Sequence, residues 1–189
     1  MSNLFFRYRG GVIYIWAITL FLCACFSNHT FNGNGLFIVL LGALIRFTSA
    51  MYIGSHSNGT AITARAFTNR GPYALVRNPL YVANLLSCEG ILIYTNCLSP
   101  FIHISIISAL FFFYHTIVTE EEKLLHAELK TDFTDYCVKV PRWIPWKVSI
   151  ESWSGQIWQP LQSFTSVLRA QSLNISKPFL FVILLSFCR

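Results

Sequence analysis

Gly71-Pro72-Tyr73-Ala74-Leu75-Val76-Arg77-Asn78-Pro79-Leu80-Tyr81 is a polar, turn-prone stretch with two prolines and an arginine, set between strongly apolar blocks. A hydrophobic chain has few places where its backbone can leave regular helix without stranding polar groups. Asn78 is a good N-cap residue. Pro79 suits the first turn of a helix, where its missing N–H has no partner to lose. The stretch therefore predicts an irregular turn that delivers the chain into a new helix.

Outward from it, the sequence is 54% apolar and 12% charged over 189 residues, where soluble domains carry about a quarter charged residues. The apolar residues gather into blocks at about 11–27, 35–54, 79–97 and 99–119. At about 1.5 Å per residue, such blocks with their uncharged flanks can cross a hydrocarbon core of about 30 Å. The first block runs into Ser27-Asn28-His29-Thr30 rather than a small-x-small pattern, so it reads as a span and not a cleavable leader. After Thr119 the character changes. Glu120 to Tyr136 reads as an amphipathic helix, with Leu124, Leu125, Leu129, Phe133 and Tyr136 at helical spacing. Val140 to Lys147 has prolines four apart and cannot be regular helix.

The predicted fold is all-α: a polytopic membrane protein with four transmembrane helices and a cytoplasmic amphipathic helix. Residues 1–147 form the membrane domain and 148–189 an interfacial or membrane-associated tail. Pro178 to Cys188 is apolar but too short to span alone. It reads as a half-inserted helix or as part of a fifth membrane helix.

The net charge of +6 is spread along the chain rather than gathered in a stripe, which argues against nucleic acid. Nearly all the lysines and arginines fall in the N-terminal arm, in the Ser55–Asn78 loop and after Thr119. The positive-inside rule then puts those segments, the N-terminus included, on the cytoplasmic side. Gly71–Tyr81 and Glu120–Lys147 are thus expected at one face. The six cysteines lack metal-site spacing and read as small buried hydrophobes, so no metal is expected.

Arg46 and Glu89 lie inside apolar blocks, where a charge costs about 2.5–3.5 kcal/mol on insertion scales and needs a partner. An Arg46–Glu89 pair is expected, either fixing helix register or lining a cavity. His103 and His115 in the fourth block read as helix–helix hydrogen-bonding residues rather than catalysts.

Three pieces converge on the expected cytoplasmic face: Arg65-Ala66-Phe67-Thr68 leading to Tyr73, the turn Arg77-Asn78-Pro79-Leu80-Tyr81, and Glu120-Glu121-Glu122. They supply helix N-terminal donors, aromatic faces, an arginine and carboxylates. That set suits a zwitterionic ligand with a cationic centre. It also suits plain interfacial anchoring, and the residues alone leave both readings open.

The string Gly-Pro-Tyr-x-x-Val-Arg-Asn-Pro-Leu-Tyr, followed by Glu-Glu-x-x-Leu and then Tyr-x(3)-Val-Pro-Arg-x-x-Pro, resembles the isoprenylcysteine carboxyl methyltransferase and phospholipid methyltransferase superfamily over roughly Ser55 to Pro145. The resemblance implies a membrane methyltransferase that uses S-adenosylmethionine bound at the cytosolic face. The donor would be held by Arg65, Ala66, Phe67, Thr68, Tyr73, Arg77, Asn78, Pro79, Leu80, Tyr81, Glu121 and Glu122. The acceptor would be a lipid or prenylated, lipid-like molecule in the membrane. Three positions depart from the family pattern. Asn78 stands where many members have His and cannot act as a base. Leu129-Lys130 replaces a Phe-Gly step. Ile117 occupies the place of a substrate-side arginine in the eukaryotic carboxyl methyltransferases, which puts a prenylcysteine carboxylate in doubt.

No catalytic base is singled out: His56 and His126 are the candidates at that face, without support from pattern. A carboxylate acceptor would need none. The competing readings are an NADPH-dependent sterol-type reductase, whose turn is usually followed by Gly-Glu where this chain has Val82-Ala83, and a non-catalytic membrane scaffold.

Overall fold

The computed structural model describes residues 32–53, 67–96, 98–147, 160 and 162–186. The expected first span at 11–27, and Arg65, Ala66 and His56, lie outside the described residues. Those described are all-helical, with no strand among them: α1 Gly33–Ile53, a 3₁₀ turn at Gly71–Ala74, α2 Pro79–Thr95, α3 Pro100–Leu129, α4 Thr131–Lys139 and α5 Phe164–Ser186.

Two of these helices, α1 and α3, are long and apolar enough to cross a membrane. Their large side chains point outward, with Phe37 68% and Phe101 83% exposed, as expected where the solvent is itself hydrocarbon. The third expected span is realised as α2, whose 17 residues reach about 25 Å, just short of a full crossing. It ends at Asn96 in the left-handed region (φ 46°, ψ 28°), a conformation asparagine tolerates.

The sequence reading placed a boundary at Thr119, between a span and an amphipathic helix. The structure corrects this. α3 runs unbroken for 30 residues, because a change in polarity removes no backbone hydrogen bond and no Gly or Pro interrupts 101–129. The break comes at Lys130 (φ 47°, ψ −114°), a backbone shape that type II′ turns normally give to glycine. The tail is corrected as well. Its helix starts at Phe164, not Pro178, and carries Pro178 within it. α5 packs on α1 and α2, with Phe164 edge-on to Phe47 at 5.1 Å and Val182 in a core with Val39, Ile91 and Leu92.

α1 and α2 form the tightest pair. Gly35 and Gly90 face each other so closely that a Cβ on either would run into the backbone of the opposite helix. Small residues are what allow helices to approach this way without a hydrophobic driving force. Val39 and Ala83 fill the same seam and are fully buried.

The charged residues in the helices do not pair as expected. Arg46 donates through Nη1 to Asn84 Oδ1 at 2.6 Å. Glu89 instead contacts His103 Nε2 at 3.0 Å. Asn84 and Glu89 are five residues apart on α2, about 140° around a helix of 3.6 residues per turn. A side chain level with Asn84 on the α1 side is therefore poorly placed for Glu89, which faces α3. His103 does act as a helix–helix hydrogen-bonding residue.

Candidate active site

The turn before α2 is built on Gly71. Its φ of +56° favours glycine, and a Cβ there would press on the Tyr52 ring. Pro72 follows it, and its carbonyl accepts from Leu75 N and Val76 N at 3.1 and 3.2 Å. Asn78 starts α2 by position, its carbonyl accepting from Tyr81 N and Val82 N at 3.1 and 3.2 Å. The expected side-chain cap is not made. Asn78 Nδ2 is instead buried without a hydrogen-bond partner among the described residues.

The two halves of the motif meet. Arg77 N donates to the Pro141 carbonyl at 2.9 Å, and the buried Tyr136 hydroxyl donates to the Tyr73 carbonyl at 2.6 Å. Phe67 stands edge-on to Phe133 and Tyr136, with ring centroids 5.7 and 5.2 Å away. Phe133, Tyr136 and Val140 form the small core under this junction.

Successive carboxylates on α3 point about 100° apart and take different partners. Glu120 is surface-facing and bonds Lys123 at 2.7 Å. Glu121 accepts from the Tyr81 hydroxyl at 2.7 Å. Glu122, 6% exposed, contacts Arg77 Nη1 at 3.0 Å and accepts from Arg142 Nε and Nη2 at 3.2 and 2.5 Å. Two guanidiniums on one nearly buried carboxylate form a charge-assisted clamp. It fastens the turn and the Val140-Pro141-Arg142 segment to the end of α3.

Around Glu121 the site is lined from α2 and the turn. Tyr81 stacks at a tilt on Tyr114, centroids 5.1 Å apart. The Tyr73 hydroxyl is buried and has no partner among the described residues. Its pKa is raised, first by burial and then by the neighbouring Tyr136 and Glu121, with Arg46 opposing. Tyr136 is likewise held neutral by burial, against the pull of Arg77. Burial also raises the Cys137 thiol, again against Arg77, whose Nη1 lies 3.1 Å from its sulfur.

Of the residues expected to hold a donor, Asn78, Pro79, Leu80 and Tyr81 fall together at the start of α2, Tyr73 stands in the turn before it, and Tyr81 ties the group to Glu121. Phe67 and Thr68 lie beside them in the supporting layer, where Thr68 Oγ1 accepts from Arg70 N at 3.3 Å. Arg77 and Glu122 are engaged with each other. His126 packs edge-on to Phe133 at 4.7 Å, and His115 stacks on Trp143. Sequence reasoning passed over Arg142, Tyr136 and Asn84 as site residues. The first two stand in the quoted Tyr-x(3)-Val-Pro-Arg string; Asn84 is turned to Arg46 on α1 and no motif marks it.

The family model for phospholipid methyltransferases matches residues 30–129, more than half of the chain. The chain belongs to that family, whose members are membrane methyltransferases. It is also similar to the cobalt-zinc-cadmium resistance protein CzcN of Cupriavidus metallidurans, at 26% identity over 176 residues, covering 83% of this chain and 77% of that protein. No solved structure matches the chain.

Proposed function

We propose that the protein transfers a methyl group from S-adenosylmethionine to a lipid-like acceptor at the cytoplasmic membrane face. The observation that carries this reading is a pair of uncommitted polar atoms, one in the Gly71–Ala74 turn and one at the start of α2. The Tyr73 hydroxyl and Asn78 Nδ2 are buried without partners among the described residues, and Glu121, close enough to Tyr73 to raise its pKa, is oriented by Tyr81. Buried polar groups left unpaired are costly, and a polar ligand would satisfy them.

The residues fit the donor's chemistry. The first turn of α2 is a helix N-terminus, suited to a carboxylate. Glu121 can accept from an ammonium or from ribose hydroxyls. The faces of Tyr73 and Tyr81 suit a cationic sulfur. When bound, S-adenosylmethionine supplies a methyl group already activated on a sulfonium. The protein's own task is then to position the acceptor and to exclude water. Glu121 and Tyr81 orient, Tyr73 and Asn78 donate, and the Glu122 clamp keeps the two motif halves together. The Tyr73 phenol stays protonated at neutral pH, so it serves as a donor and not as a base. Ile117 is buried with Leu110 and Tyr114 under Tyr81, so that position brings no cation to the acceptor.

Calorimetry on detergent-purified protein tests the reading. S-adenosylmethionine should bind and NADPH should not, and Glu121→Ala should weaken donor binding strongly. Binding of NADPH alone would point to a reductase. Binding of neither would leave a scaffold.

A further inference from the structure

The segment after α4 follows α3 without joining a helix. Pro141 and Pro145 deny it a helical ladder, and Trp146 N closes a tight turn on the Ile144 carbonyl at 2.9 Å. Two consecutive residues of the segment reach two levels of α3. Arg142 grips Glu122, while Trp143 lies against Phe111, ring centroids 5.1 Å apart, and stacks on His115. Phe111 and Glu122 are eleven residues apart, about 16 Å along a helix. Between them α3 passes from Ile117 and Val118 to its first carboxylate, Glu120. The segment therefore straddles the level at which α3 changes from apolar to charged. The side it turns outward is apolar: Ile144 is 63% and Trp146 66% exposed, and Val138 at the end of α4 is equally bare. Lys147 Nζ reaches back to donate to the Val138 carbonyl at 3.2 Å, so the cation is drawn towards α4 and the apolar groups are left outward.

From this placement we infer that Trp143–Lys147 docks in the headgroup layer of the bilayer, and that this docking helps hold the two halves of the motif together. α3 is long and apolar enough to cross a membrane, so the level at which its charges begin is the level of the headgroups. Backbone outside a helix does not tolerate hydrocarbon, whereas the water, phosphates and ester carbonyls of the headgroup layer satisfy it. Tryptophan and a lysine with its stem on apolar surface are side chains which that layer accepts. A second protein fits less well. Val138, Ile144 and Trp146 together offer far less than the about 800 Å² per partner that a stable interface buries. The docked residues directly follow Pro141 and Arg142. The Pro141 carbonyl accepts from Arg77 N at 2.9 Å, and Arg142 holds Glu122. Anchoring the segment in lipid therefore steadies the turn before α2 against the end of α3. This goes beyond the methyl-transfer reading and does not depend on it, so neither measurement below uses the donor.

The full chain, labelled with fluorotryptophan and held in phospholipid bicelles, tests the docking. Trp146→Phe identifies the Trp146 fluorine signal. A phospholipid carrying a nitroxide near the ester end of one chain should broaden that signal several-fold more than one carrying it at the methyl end, and more than a soluble nickel chelate does. Strongest broadening by the chelate would put Trp146 in water, and strongest broadening by the deep nitroxide would put it in hydrocarbon. Broadening by none of the three would mean that protein covers the indole. Each of these results overturns the inference. Hydrogen exchange in the same bicelles tests the coupling. Ile144→Ser combined with Trp146→Ser should speed exchange of the Arg77 amide several-fold, while the Val39 and Ile91 amides in the α1/α2 seam stay as slow as in wild type. Should the double variant not fold, Trp146→Ser alone should act in the same direction. Unchanged Arg77 exchange in a variant whose seam amides remain protected overturns the coupling.

Discussion

The two faces of α2 are built on opposite principles. Towards α1 it presents Ala83 and Gly90 to Gly35, Val39 and Gly42, and the backbones all but touch. Towards α3 it presents Tyr81, Leu85 and Glu89, and the helices are tied at two levels with a cleft between them. Close packing of small residues gives a rigid wall but leaves no room for chemistry. Large and polar residues on the other face give room, at the cost of groups that need partners. The rigid face thus fixes the height and rotation of α2, and the open face can devote its polar atoms to a ligand. The Glu122 clamp is what the open face uses in place of a packed seam.

This contrast can be broken at either face. Gly90→Leu should have the largest effect, since a side chain there meets the Gly35 and Val39 backbone. We expect a loss of more than about 3 kcal/mol, seen as failure to elute as a folded species in detergent. Glu122→Ala removes the acceptor from Arg77 and Arg142. Stranding the two cations should cost about 3 kcal/mol, read from denaturant or thermal melts. Tyr136→Phe leaves the buried Tyr73 carbonyl without its donor and should cost about 1–2 kcal/mol. Lys130→Gly should go the other way. It relieves a positive φ at the α3–α4 break and should stabilise by about 1 kcal/mol, raising Tm by about 3 °C.

Much of this was legible in the sequence, for identifiable reasons. The hydrophobic blocks gave α1, α2 and α3 because an apolar run of that length has few other ways to satisfy its backbone. The Asn78-Pro79 step marked the start of α2 correctly. The polarity change at Thr119 drew a boundary where the helix runs on, and the break at Lys130 fell inside the stretch Glu120 to Tyr136 that was expected as one helix. What sequence could not supply was rotation about the helix axes. That is why Arg46 was matched to Glu89 by depth when it lies against Asn84. For the same reason Glu121 and Glu122 read as equivalent when one faces Tyr81 and the other is clamped by two arginines. The Asn78 side chain followed its type preference on paper. In the fold its carbonyl starts the helix and its amide is left over.

The division between those two adjacent carboxylates is the centre of the account, and a donor-dependent thermal shift in detergent tests it most directly. A ligand that binds only the folded state raises Tm in proportion to its affinity. Glu121→Gln should melt close to wild type and lose the shift that S-adenosylmethionine produces. Glu122→Gln should melt well below wild type in the absence of any ligand. A Glu121→Gln protein that keeps the full shift, or a Glu122→Gln protein as stable as wild type, would contradict it.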